Sequence, residues 1–286
     1  MLLSGCGSVE RDRVEWTVMG TVAALQTRGR HLEHDTASQK TLAAVMGATR
    51  DVEALLNAHD PHSRLSRLAG MTEDEVLLRC DEGCVSSGLR TRPCYEAAFR
   101  LAEASGGAFN PRWRGDGTLD LGAIAKGFAA DLASDASREC RVDALIDLGG
   151  SLKVLRASSG PWRAGVKDPV SKGVAAVVDL GEGEALATSA TYYRGSHIFD
   201  GRTGRPVANG VASVTVLCRS AMWADGLSTA LFVLGPDDGR RFVSERLPAV
   251  SGGIRVAVLW ILDDGRQVRL DPDGRFMRSG MAPGGG

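Results

Sequence analysis

The sequence predicts an α+β fold, with mixed or antiparallel sheets packed against helices, on three observations. Helix-like and strand-like stretches are segregated, and short strands dominate the second half. Glycine supplies 36 of 286 residues, about 13% against roughly 7% in an average chain, and recurs beside strand-like runs as tight turns and close backbone approaches require. No internal repeat or long linker divides the chain. Its length permits one large domain or two intimately packed lobes.

The elements follow in order. Val14, Trp16 and Val18 alternate with polar residues, and Val22 and Ala24 resume after Met19-Gly20-Thr21, so the chain opens on two strands around a tight turn. Thr36-x-x-Gln39 has the form of a capping box and opens a helix carrying Leu42, Val45, Val52, Leu55 and Leu56, which His59-Asp60-Pro61 stops. A second helix runs from Pro93 to Gly106-Gly107, proline at its first turn and glycine past its end. A third follows Asp120-Leu121-Gly122, with Ile124, Phe128 and Leu132 on one face. Short strands are expected over 144–148, 152–155, 162–166, 174–178 and 211–217. Ser220 is placed to cap a helix carrying Leu227, Leu231 and Leu234. A hairpin over 254–262 and 267–270 turns at Asp264-Gly265. Residues 1–13 read as a tether, 14–275 as the folded domain and 276–286 as a disordered tail.

With 34 Lys+Arg against 35 Asp+Glu the net charge is −1, which excludes a general nucleic-acid binder. Aromatics at 5% argue against base stacking on single strands. No apolar run approaches the roughly 18–20 residues of a membrane span. Six cysteines are too few for a disulfide scaffold, and Cys80, Cys84 and Cys94 lack a fourth ligand for zinc. The pairs His31/His34 and His59/His62 sit in polar stretches suited to loops. Leu3-Ser4-Gly5-Cys6 looks like a bacterial lipobox, with its signal truncated because only five residues precede Cys6. The expected location is the outer face of the cytoplasmic membrane or the periplasm, held by a lipid on Cys6; a coincidental match would leave the protein cytoplasmic.

Neither a Rossmann nor a P-loop glycine pattern nor Gly-x-Ser-x-Gly is present. Three segments nonetheless combine glycine with polar groups. In Leu119–Phe128, Asp120 and Lys126 bracket a helix start, where free N–H groups favour an anion; a capped helix with a surface lysine is an equal alternative. The 196–206 run, with His197, reads by itself as an ordinary Asp-Gly turn. In the 220–235 run, Asp225 and Thr229 share one helix face in apolar company. A carboxylate there is costly unless paired or on a metal, and one carboxylate plus a hydroxyl suits Mg²⁺.

Taken together, Met19-Gly20-Thr21, Pro61-x-Ser63-x-Leu65-Ser66-Arg67-Leu68, Gly106-Gly107-Ala108-Phe109-Asn110-Pro111, the Asp120–Gly127 run, Leu148-Gly149-Gly150, Ala187-Thr188-Ser189 and the two later runs resemble the ApbE family, FAD:protein FMN transferases, over roughly residues 16–270. The resemblance implies an ApbE-like fold of two intimately associated lobes with the flavin site between them. It implies Mg²⁺-dependent transfer of FMN from FAD, the substrate, onto a Thr or Ser hydroxyl of an acceptor protein, with release of AMP. Met19, Asp120 and Lys126 would contact FAD, with His59, Phe109 and Asn110 beside them. The Ala123 carbonyl, Asp225 and Thr229 would hold the metal. His197 would bind FAD or assist deprotonation of the acceptor hydroxyl, which makes His197 and Asp225 the catalytic candidates. The implied acceptor is a membrane redox subunit with an S/T-G-A-S/T-type motif.

The chain also departs from the family pattern. His59 stands where an aromatic is common, Asn110 where aspartate is, and Gly201 where proline is. Only Arg112 to Thr118 separate two motifs that a longer loop usually joins. Two other functions therefore stay open: a non-catalytic, lipid-anchored FAD carrier, and a Mg²⁺-dependent FAD pyrophosphatase.

Overall fold

The computed structural model describes residues 11–82, 89–191 and 198–278. Strands β1 (Arg11–Val18) and β2 (Thr21–Arg28) form the opening hairpin. Met19 and Gly20 turn it with φ of 54° and 66°, the left-handed pair that matches the twist of the flanking strands. Helices α1 (Thr36–Leu56), α2 (Arg64–Arg67), α3 (Glu73–Arg79), α4 (Arg92–Ala104) and α5 (Ala125–Ser137) follow. Then come β3 (Ala144–Leu148), β4 (Ser151–Arg156), β5 (Trp162–Lys167), β6 (Val174–Leu180), β7 (Ala185–Ala190), β8 (Phe199–Asp200), β9 (Arg205–Pro206) and β10 (Val211–Cys218). Helices α6 (Ala221–Glu245) and α7 (Leu247–Ser251) precede β11 (Ala257–Leu262), β12 (Gln267–Leu270) and β13 (Met277–Arg278).

One antiparallel sheet of eight strands, in the order β1-β2-β3-β4-β7-β10-β11-β12, organises the fold. Side chains alternate across it. Ala144, Ile146, Leu148, Ala187, Val214, Val216, Val258 and Trp260 point into a core with α1, α4, α5 and α6. Leu145, Leu152, Val154, Leu186, Leu217 and Leu259 point the other way, onto the sheet β13-β6-β5. The packed units that the length permits therefore share a sheet, with an apolar core on each of its faces.

Several details correct the sequence reading. The capping box expected at Thr36 and Gln39 does not form. Asp35 caps α1 by accepting from Ser38 N at 2.8 Å, and Gln39 turns back to the Glu33 carbonyl. The reciprocal box belongs to Thr72 and Glu75 at the unanticipated α3. The third helix starts at Ala125, and β11 starts at Ala257. Helix α6 is capped by Ser220 as expected and kinks at Gly235 (φ 72°), ahead of Pro236. The fold also runs beyond 275: Phe276 is buried, and Met277 and Arg278 pair with β6. Residues 281–286 and Cys6 lie outside the described residues.

Candidate active site

The site is built where α5 and α6 begin, over the sheet's helical face. Parity along β4 and β7 turns Ser151, Lys153 and Ser189 toward the helices, because Leu152, Val154 and Leu186 face the other core. Asp225 lies one turn into α6 and is 6% exposed. Its carboxylate accepts from Gly127 N at 3.0 Å and from the Ser151 hydroxyl at 3.1 Å. The Lys126 ammonium stands 3.4 Å from both carboxylate oxygens and donates to the Gly122 carbonyl at 3.0 Å.

This arrangement has a local cause. Helix α5 has Ile124 at its N-cap position, which offers no side-chain acceptor, so its third N–H is satisfied by Asp225 from another helix. The approach is possible because residue 127 is glycine: a Cβ there would stand 2.0 Å from the Ala221 carbonyl oxygen. Beside Asp225, hydroxyls form a row. Ser189 shares hydrogen bonds with Ser228 at 2.7 Å and Thr229 at 3.2 Å, and Ser228 donates to the Asp225 carbonyl at 2.8 Å. Burial first, and the Asp225 charge second, push the Cys94 thiol of α4 far up, so it stays protonated and offers no thiolate.

A second cluster adjoins α5. Asp120 accepts from Gly122 N at 2.9 Å, from Trp113 Nε1 at 3.2 Å and from Arg114 at 3.1 Å. It shapes the turn before α5 rather than capping the helix. Trp113 stacks on Phe199 with ring centres 4.3 Å apart. Asn110 donates to the Gly201 carbonyl at 3.0 Å, and a Cβ on residue 201 would meet Asn110 Cβ at 2.4 Å, so the Gly201 departure has a packing reason. Phe109 is buried, its N–H on Ser105 Oγ.

The candidates therefore divide. Lys126, Asp225 and Thr229 come together, with Ala123 in the turn that leads into α5. Phe109, Asn110 and Asp120 form the neighbouring cluster. Met19 sits in the hairpin turn, its N–H held by Glu53 at 2.6 Å. His59 follows α1, its N–H on the Asn57 side chain. None of the hydrogen bonds among the described residues links Met19 or His59 to Asp225, and His197 lies outside the described residues. Sequence reasoning missed Ser151 and Trp113, and gave no role to Ser189 and Ser228 within the motifs it singled out. For Ser151 the usable signal is its place directly after the Gly149-Gly150 turn.

Among the described residues no three of His, Cys, Asp and Glu group as a metal site. The donors at hand are one carboxylate, several hydroxyls and turn carbonyls, all hard oxygens, and that set fits Mg²⁺ rather than a softer ion.

Residues 112–251 match the family model of the ApbE family. A protein of Rhodobacter capsulatus named FAD:protein FMN transferase is 43% identical over 157 residues, which is 51% of this chain and 28% of that protein. A Vibrio cholerae protein of the same name is 36% identical over 162 residues, 51% of this chain and 46% of its own. The chain thus matches less than half the length of these relatives. The structure of the flavin transferase ApbE from Vibrio cholerae superposes with a TM-score of 0.70 at 22% identity, covering 94% of this chain and 100% of that one. This likeness shows a common fold.

Proposed function

We infer, from a chain whose residues 112–251 match the ApbE family model, that this protein moves the FMN part of FAD onto a Thr or Ser hydroxyl of an acceptor protein. The observation that carries the reading is the buried Asp225 carboxylate joined to Lys126 and the first turn of α5. In the reaction, the acceptor hydroxyl oxygen bonds to the FMN phosphorus while the bond to AMP breaks, and AMP leaves with the bridging oxygen. Such transfers depend on positioning and on neutralising charge. Lys126 supplies a point charge for a phosphate oxygen. Ser151 and Gly127 N–H hold the Asp225 carboxylate in one orientation. Asp225, Thr229 and the Ala123 carbonyl would hold Mg²⁺, which when bound supplies further neutralisation at the diphosphate. His197 is assigned the acceptor hydroxyl's proton.

The test is to incubate the protein with FAD, MgCl₂ and a domain bearing an S/T-G-A-S/T-type motif, and to follow AMP, free FMN and protein-bound flavin. Bound flavin equimolar with AMP is the expected result. AMP with free FMN identifies a pyrophosphatase, and tight FAD binding with neither product identifies a carrier. Lipid attachment at Cys6, with the site outside the cytoplasmic membrane, belongs to the same proposal. Cys6→Ser should move the protein from the membrane to the soluble fraction; an unchanged distribution would remove that part.

A further inference from the structure

Helices α5 and α6 meet at their first turns, and each takes a capping acceptor from the other. Asp225 of α6 accepts from Gly127 N on α5. In return Asp131 of α5 accepts from the Ser220 hydroxyl at 2.7 Å and from the Ala221 and Met222 N–H groups at 2.9 and 3.0 Å, the first donors of α6. Gly127 and Asp131 are one turn apart, as are Ala221 and Asp225, so each pair shares a helix face. Strand β4 closes the frame. Ser151 donates to Asp225 at 3.1 Å, and Lys153, two residues on, stands 3.0 Å from Asp131.

Lys153 is 6% exposed, and its ammonium also donates to the Gly183 and Arg219 carbonyls at 3.0 and 2.7 Å. All three of its protons have acceptors. Neither Lys153 nor Asp131 bonds Asp225 directly. We propose that Asp131 and Lys153 are positioning residues: they fix the first turn of α6 and, one turn on, the place of the Asp225 carboxylate against Lys126 and α5. The kinetic consequence rests on the transferase reading, but the structural one does not.

The experiment compares wild type with Asp131→Asn and with Asp131→Asn/Lys153→Met. The single variant leaves Lys153 buried without a counter-charge and is expected to lose stability. The double variant removes both charges and keeps the amide oxygen as an acceptor for α6. In metal-free protein, the carbon-13 signal of the Asp225 carboxylate and the Gly127 amide signal should both shift in the folded double variant. In flavin transfer, kcat should fall about 10- to 100-fold with KM for FAD within about twofold, since small misplacements act on the reacting geometry rather than on binding. Unmoved Asp225 and Gly127 signals overturn the proposal, whatever the rate. Moved signals in a protein whose wild type transfers no flavin uphold the positioning role and sink the transferase reading instead. Moved signals with wild-type kcat also overturn it, because the displaced carboxylate would then not matter.

Discussion

The two faces of the eight-stranded sheet carry different burdens. The face toward β5 and β6 holds an apolar cluster centred on Trp162, fully buried with Arg28 stacked 3.9 Å above its ring, and its few buried polar side chains, such as Thr215, lie outside the candidate site. The face toward the helices mixes the larger core with Asp225, Lys153, Ser151 and Ser228, all buried or nearly so. Polar groups there are costly to bury, and each is held by named partners. One face stabilises, while the other holds the candidate site at some cost in stability. Because alternate residues of the same strands serve both, neighbours such as Leu152 and Ser151 should respond to substitution in different observables.

The largest effect should come from the face that holds Trp162. Trp162→Ala removes a fully buried ring and the surface on which Arg28 stacks, and should lower unfolding stability by about 3–5 kcal/mol in urea melts. Flavin transfer per folded molecule should stay at wild-type level; a large loss of kcat would break the division between faces. On the other side, Asp225→Asn keeps the side-chain volume and removes the charge. Transfer should fall about 10²–10³-fold, the usual cost of losing one preorganised electrostatic group. Added Mg²⁺ should then no longer raise the melting temperature with FAD present. Undiminished transfer, or a wild type indifferent to Mg²⁺, would remove the metal assignment.

Gly127→Ala tests the contact between the two helices. Its Cβ would be driven against the Ala221 backbone, with Met222 Cα at 2.7 Å, so stability should fall by about 1–3 kcal/mol and transfer should fall with it. A stability loss without any loss of transfer would show that Asp225 does not depend on the crossing. The smallest effect belongs to Glu184, which receives two hydrogen bonds of 2.8 Å from Arg275. Those bonds hold its carboxyl below the ordinary 4.5, although burial works the other way. A depressed folded value means that the stabilisation is complete well above pH 4.5 and is lost as pH falls through the folded value. Glu184→Gln should cost about 1 kcal/mol at pH 7, allowing for partial exposure. The difference from wild type should narrow as melts are taken to pH values below the folded value, itself below 4.5. A difference that persists there would assign the effect to packing.

How much was legible in the sequence depended on contrast. The strands at 144–148 and 211–217 stand out as apolar runs, whereas β7 reads Ala-Leu-Ala-Thr-Ser-Ala and offers no alternation of size or polarity. At α1 the cap falls on Asp35, one residue before the serviceable Thr36, because either oxygen could reach the same N–H groups. The Thr72/Glu75 box was present in the letters but preceded too short a helix to show a period. Asp225 and Lys126 could be chosen from their motifs, yet their meeting across 99 positions of chain could not. Asp131 carries no local signal, because its role exists only once α5 and α6 are assembled.

That dependence reaches into how the protein folds. The third N–H of α5 takes its acceptor from afar, Asp225 arriving from 98 residues along the chain. Before α6 docks, an isolated α5 must nucleate with the Gly127 donor on water, and a thirteen-residue helix is marginal on those terms. The cap is a long-range contact, paid for by closing a long loop, and such contacts are slow to form. Completion of the candidate site and consolidation of α5 should thus be a single late event in refolding. A partly folded chain would then present no oriented Asp225 carboxylate.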